Sequence, residues 1–187
     1  MSETPDARTT HDRITFLRTL RAVRTFRPAP VPQEVLDDIL EVARWSGSAS
    51  NNQPWEIIVV QNRDTLSALA SVDGYAGHLA RAPLGIVLVM AGDREAQEGY
   101  DEGRLAERIM LAAHAHGVGS SIGWIVGRGR DAARALLSIP GHKMVRTAIS
   151  LGYPDGQASA SRPGRGQSRK PLDEIVHQEG YGSEHDG

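Results

Sequence analysis

Three short runs dense in branched apolar residues, Trp55–Val60, Leu84–Met90 and 144–151, constrain this chain more than any other feature. Such runs are too short for buried helices and too apolar for surface loops, so each reads as a buried strand. Between them the period changes. Val35, Leu36, Ile39, Leu40 and Ala43 share one face of a helix that follows the Pro30-Val31-Pro32 start signal. Residues 103–116 carry the longest helical pattern, with Leu105, Ile109, Ala112 and Ala113 on one side. Met110 and Leu111 widen that face, which predicts a central, nearly buried helix closed by Gly117 and Gly119. Shorter helices are expected at 14–20, from Ile14, Leu17 and Leu20, and at 131–137, with Asp131 as N-cap. Helices and strands alternate irregularly, which fits an α/β or α+β domain.

A length of 187 residues suits one domain with a proper core. Residues 1–12 are polar without apolar period and read as a flexible arm. No repeat or linker divides 13–187, which is expected to be a single domain. A net charge of -2 gives no reason to expect nucleic acid or an acidic membrane as partner. The absence of cysteine excludes disulfides, thiolate metal sites and cysteine nucleophiles. The N-terminal residues hold no apolar signal core, and the longest apolar run, 86–91, is too short to span a bilayer; the expected location is the cytoplasm.

Four segments have the composition of binding sites. In Arg21-Ala22-Val23-Arg24-Thr25-Phe26-Arg27-Pro28, Arg21 and Arg24 lie three apart, and on a helical turn their forks would converge on one phosphate. A solvated basic turn is the alternative. Trp45-Ser46-Gly47-Ser48-Ala49-Ser50-Asn51-Asn52-Gln53-Pro54-Trp55 joins a helix to a buried strand through small residues and amides. Small residues let backbone amides approach a flat ring, and Asn51 can both donate and accept at a heterocycle edge. The alternative is a plain polar connection. Gly117-Val118-Gly119-Ser120-Ser121-Ile122-Gly123-Trp124 follows a helix rather than a strand and is not GxGxxG, so it is no dinucleotide fingerprint. It is either a close backbone approach or a helix C-cap. Arg165, Arg169 and Lys170 lie in a basic Gly/Ser/Pro-rich loop, 155–170, which is either functional or a cationic tail.

Other chemistries find no support. His114 and His116 sit two apart and face different sides of a helix, so they are no metal pair; His114 suits a hydrogen-bonded interior position. No GxSxG elbow marks a serine hydrolase, and no carboxylate pair is set in apolar surroundings. Neither a catalytic side chain nor a metal site is expected.

Taken in order, these segments resemble the nitroreductase family of flavoproteins. Arg21-Ala22-Val23-Arg24-Thr25-Phe26 is similar to its Arg-Ser-x-Arg-x-Phe opening, and 43–55 aligns without a gap to its Ala-Pro-Ser-x-x-Asn-x-Gln-Pro-Trp loop. Residues 111–120 resemble its central helix and Gly-Leu-Gly turn. Gly152-Tyr153-Pro154 and Arg169-Lys170-Pro171-Leu172 match its Gly-Tyr-Pro strand end and its closing segment. The likeness runs from about Arg13 to Val176.

The resemblance implies a three-layer α+β fold, a central mixed and mainly antiparallel sheet flanked by helices, in an intertwined homodimer with FMN at the subunit interface. Arg21, Ala22 and Arg24 would lie at the FMN phosphate and ribityl chain, with Arg169 and Lys170 from the tail. Gly47, Ser48, Ala49 and Asn51 would reach the ring from the other subunit. The backbone of Ser121, Ile122 and Gly123 would lie near the flavin pyrimidine and N5, and the helix at 103–116 along the dimer interface. NAD(P)H would reduce the flavin by hydride transfer to N5, and a nitroaromatic, quinone or similar acceptor would reoxidise it in a ping-pong scheme. Relatives of this fold with other roles, in dehalogenation, flavin breakdown, deazaflavin binding or binding without turnover, remain open. The sequence departs from the pattern at Ala22, where many members have Ser, and at Gly47, where Pro is usual and whose loss makes the loop less rigid.

Overall fold

The structure is a computed structural model and describes residues 7–156 and 169–182. Residues 1–6 of the expected arm, and most of the basic loop including Arg165, lie outside the described residues. Residues up to Gly156 and the tail form separate compact units.

Four strands, β1 (Trp55–Val60), β2 (Leu84–Met90), β3 (Gly119–Trp124) and β4 (Met144–Gly152), form one sheet in the order β1-β2-β4-β3. All three neighbouring pairs are antiparallel. Among the described residues the one parallel pairing is an isolated bridge, Ala22 to Ser120. Side chains alternate across the sheet, as the two-residue strand period requires. Leu84, Ile86 and Leu88 of β2 join the core beneath α2 (Gln33–Arg44) and α4 (Glu95–Ala115). Val87 and Val89 join a second core beneath α3 (Arg63–Ala70), the 3₁₀ turn Gly77–Arg81 and α5 (Arg128–Leu137). Helices thus cover both faces of the sheet, which is the three-layer α+β architecture expected. No described helix is long and apolar enough to cross a membrane.

The helices differ from the sequence expectations in instructive ways. α1 (Ala7–Thr19) starts inside the predicted arm and buries no residue; Ile14 and Leu17 stay about half exposed, at 49% and 53%. Its tie to the body is His114 of α4, which stacks on Phe16 at 4.9 Å and meets Thr19 Oγ1 at 3.2 Å. His114 is therefore the hydrogen-bonded histidine expected. α5 starts at Arg128, three residues before Asp131, after Gly127 at φ 48°. Asp131 pairs with Arg134 and caps nothing.

Candidate functional site

The arginine segment is not a helical turn. α1 stops at Thr19, and the chain then runs extended beside β3 and the end of β4. Val23 N–H donates to the Ser120 carbonyl at 2.8 Å, and Arg27 N–H to the Tyr153 carbonyl at 2.9 Å. Phe26, 7% exposed, bridges to Pro154 and anchors the segment. Strand-end pairing outcompetes the helical continuation, so Arg21 and Arg24 do not share a helix face. Arg21 folds back on the Arg18 and Leu20 carbonyls at 2.6 and 2.7 Å, while Arg24 carries its charge toward His78.

β3 itself corrects the expected turn. Gly117, at φ 68°, does end the helix, but Gly119–Trp124 is the edge strand of the sheet. Its sequence hides this: Ser120 and Ser121 are buried at 1% and 0% exposure, so polarity does not alternate with burial. The outer edge is paired at both ends. Ser120 accepts from Val23, and Trp124 accepts from Tyr75 N–H at 2.6 Å. Strand alternation turns the Ile122 backbone to that same outer side, where no backbone group pairs with it among the described residues. An open strand edge is a ready row of hydrogen-bonding groups.

His78, on the Gly77–Arg81 turn, lies behind this edge. Its Nδ1 is 2.7 Å from Ser150 Oγ, which in turn reaches the Ser121 carbonyl at 3.5 Å. This chain suits an imidazole that donates from Nδ1, and it leaves Nε2 buried without a partner. Gly123 makes the room, because a Cβ there would stand 2.8 Å from Ala76 and 3.2 Å from Nε2. Burial first, and then the Arg24 charge, hold the His78 pKa below its ordinary 6.5; the Ile122 backbone opposes them without completing a hydrogen bond to Nε2. Between its lowered folded value and 6.5 the unfolded chain binds the proton and the folded chain does not. Stability should therefore fall as pH drops from about 6.5 toward the folded value. In urea titrations from pH 7.5 to 5.5, His78→Gln should lose that part of the slope; an unchanged slope would contradict this placement.

The Ser/Asn loop follows α2. Trp45 is 67% exposed and its Nε1 donates to Glu41 at 2.8 Å; Arg44 and Trp45 together hold the Glu41 carboxyl down to about 2. Beyond it Ser50, Asn51 and Gln53 adopt φ of 51°, 56° and 47°. Each such residue costs on the order of 1 kcal/mol and persists only where its surroundings enforce it. Here Gln53 N–H donates to Ser48 Oγ at 2.8 Å and Ala49 N–H to Asp101 Oδ2 at 3.3 Å. Asn51 stays exposed, and its side-chain amide makes no hydrogen bond among the described residues. Left-handed residues packed into one exposed loop are what a ligand-shaped loop looks like, and seldom occur in a plain connection.

The buried polar atoms without partners point the same way. Of the five among the described residues, Ser46, Ser120 and Ser121 Oγ and His78 Nε2 belong to or border these segments. Native interiors rarely leave such groups unpaired, at about 1–3 kcal/mol each. A polar heterocycle carrying a phosphate fits the Ile122 edge, which pairs with no backbone group among the described residues, and the exposed Arg21 and Arg24 side chains beside it. Arg169 and Lys170 are exposed in the separate tail unit, ahead of the 3₁₀ turn Leu172–Glu174.

On the other face of β3, Ile122 and Trp124 line a groove of about 580 Å³ with Gly99, Gly103 and Ala106 of α4. Both large side chains are exposed there, at 41% and 44%.

Comparison with known proteins places the chain in a family. The family model described as "Nitroreductase family" matches residues 17–73. A putative NADH dehydrogenase/NAD(P)H nitroreductase of Methanothermobacter thermautotrophicus is 33% identical, over 76% of this chain and 78% of its own. One of the same description from Archaeoglobus fulgidus is 32% identical, over 74% and 83%. The structure of an FMN-dependent nitroreductase from Clostridium difficile superposes with a TM-score of 0.74 at 28% identity, covering 90% of this chain and 99% of that one. Fold and relatives define an oxidoreductase. The chain belongs to the nitroreductase family.

Proposed function

We propose that the protein is an FMN-dependent oxidoreductase that takes reducing equivalents from NAD(P)H and passes them to a nitroaromatic, quinone or similar acceptor. The observation that carries this is the pairing of the arginine segment with β3. The Ala22–Ser120 bridge sets Arg21 and Arg24 beside a strand whose Ile122 backbone pairs with no other backbone group among the described residues. A phosphate-binding region and a ring-edge reader then adjoin on one subunit.

In this proposal Arg21 and Arg24 hold the phosphate and ribityl chain. Ala22 offers its backbone alone. Ser121, Ile122 and Gly123 present main-chain donors and acceptors to the ring edge. Gly47, Ser48, Ala49 and Asn51 cover the ring from a second copy of the chain. The groove beside Ile122 and Trp124, walled by small residues of α4, gives that copy a face to occupy, so the working form in this proposal is a homodimer. When bound, FMN supplies acceptance of a hydride from the nicotinamide and, in a second half-reaction, return of the electron pair with a proton to the acceptor. The protein needs no nucleophile for this, and none stands out among the described residues. Its part is to place the ring, keep its edge hydrogen-bonded, and leave one face open for the two substrates in turn.

The test is direct. The purified protein, reconstituted with FMN, should be yellow, sediment as a dimer, and bleach when NADH or NADPH is added anaerobically. A protein that cannot be loaded with FMN, or that neither nicotinamide bleaches, would refute the proposal.

A further inference from the structure

The loop between Trp45 and Trp55 contains no charged residue. The structure brings one to it. A Cβ built on Gly47 would stand 2.2 Å from Nη2 of Arg104 and 3.1 Å from its Cζ, so the guanidinium fills the space a side chain at 47 would take. Position 47 is also where the family pattern has proline. Its loss empties a volume, and the arginine of α4 occupies it.

Arg104 is held there by the same group that holds the loop. Asp101 lies one helical turn earlier on the same face of α4. Its side chain is 8% exposed, its Oδ1 is 3.7 Å from Arg104 Nη1, and its Oδ2 accepts the Ala49 N–H at 3.3 Å. One buried carboxylate thus fixes both the strained loop and the cation lodged in it. The Arg104 side chain remains 55% exposed, so its charge stays in contact with solvent at the loop. Among the described residues its ion-pair partner is Asp101, across a contact longer than a hydrogen bond.

We propose that Arg104 tunes the flavin: lodged against Gly47, it sets a positive charge on the ring-facing loop and favours the negative charge the ring gains on reduction. Asp101 is the positioning residue that keeps it there. This rests on the FMN-dependent function proposed above and adds to it a residue that no part of the family pattern singles out. A nearby charge shifts the balance between protonation states by about one unit or more, so a bias of about tenfold toward reduced FMN is expected from one guanidinium.

The experiment measures the affinities of the FMN-loaded protein for oxidised and reduced flavin, through the midpoint potential. Arg104→Gln should lose about tenfold in the preference for reduced FMN, which for a two-electron couple is about 30 mV. Arg104→Lys should keep most of the preference, since the charge remains. Gly47→Ala, which evicts the guanidinium while leaving it charged, should shift the potential in the same direction, and should add nothing in the Arg104→Gln background. Equal weakening of both redox forms in Arg104→Gln would mean a merely structural role and would overturn the inference. So would an unchanged potential, or a Gly47→Ala shift that persists in full without Arg104. These outcomes are distinct from failure of FMN binding itself, which shows as a colourless wild type before any variant is made and overturns both.

Discussion

Replacing Arg21 and Arg24 together by alanine is expected to abolish FMN retention while leaving the fold intact. Each guanidinium offers charge-assisted hydrogen bonds to a phosphate, and losing one costs about 1.5–3 kcal/mol, or roughly 10- to 100-fold in affinity. If the two contributions add, the pair should cost about a hundredfold or more. Both side chains are exposed, and among the described residues Arg21 bonds only to the Arg18 and Leu20 carbonyls. Global stability should move by less than about 0.5 kcal/mol, as for ordinary surface changes. The two single variants carry separate information. They sit on an extended segment, so Arg24→Ala also removes the charge next to His78 and should let that histidine titrate closer to its ordinary value. Arg21→Ala should not. Fluorescence titration of the apoprotein with FMN, beside a urea melt, decides the matter: affinity within threefold of wild type for the double variant would place the phosphate elsewhere.

The parts of this chain that were legible in its sequence are those whose burial is apolar. β1 and β2 match the predicted runs residue for residue, and β4 extends the third by Gly152 alone. Each is filled with residues that bury on a pleated surface, so local composition and tertiary environment agree. α4 shows where that agreement ends. Its pattern is readable from 103, yet the helix begins at Glu95. Across those first turns the buried residues are Glu98, Asp101 and Glu102, and an apolar periodicity cannot reveal a face made of carboxylates. Each has a local reason to be inside: Glu98 accepts the N–H groups of Gly92, Asp93 and Arg94, and Asp101 that of Ala49. β3 was hidden for a related reason, since Ser and Gly become strand residues only once β4 is beside them. α3 carries a sequence signal too short to stand out from its neighbours, Asn62 accepting the Thr65 N–H at 2.9 Å ahead of buried Leu66 and Leu69. The site followed the same rule. Motif order named its segments, but the extended path of Arg21 to Arg24, and the placing of His78 and Arg104, depend on contacts between distant parts of the chain.

The third of those carboxylates gives the largest expected effect on stability. Arg146, on β4 and 6% exposed, donates from Nε to Glu102, itself 3% exposed. Nη1 reaches Glu95 at 3.2 Å, and the guanidinium lies 5.9 Å from the centre of the Trp124 ring. This network fastens the first half of α4 to the sheet, and Glu95, Glu102 and Arg146 form part of the wall of the groove that Ile122 and Trp124 line. Arg146→Ala would strand Glu102 in a buried setting where one carboxylate oxygen already lacks a partner. Breaking a buried pair from one side costs about 3–5 kcal/mol, a large share of the roughly 5–15 kcal/mol that holds a domain together. For a chain of this length that corresponds to a melting temperature lower by about 10 °C. Removing both charges is a different matter. Arg146→Met with Glu102→Leu leaves no uncompensated ion, and buried pairs replaced by apolar side chains of similar volume are often neutral or better. The double variant should therefore recover most of what Arg146→Ala loses. A single variant that melts within about 1 °C of wild type would show that water reaches Glu102, and that apolar packing, rather than this ion pair, holds α4 against β3 and β4.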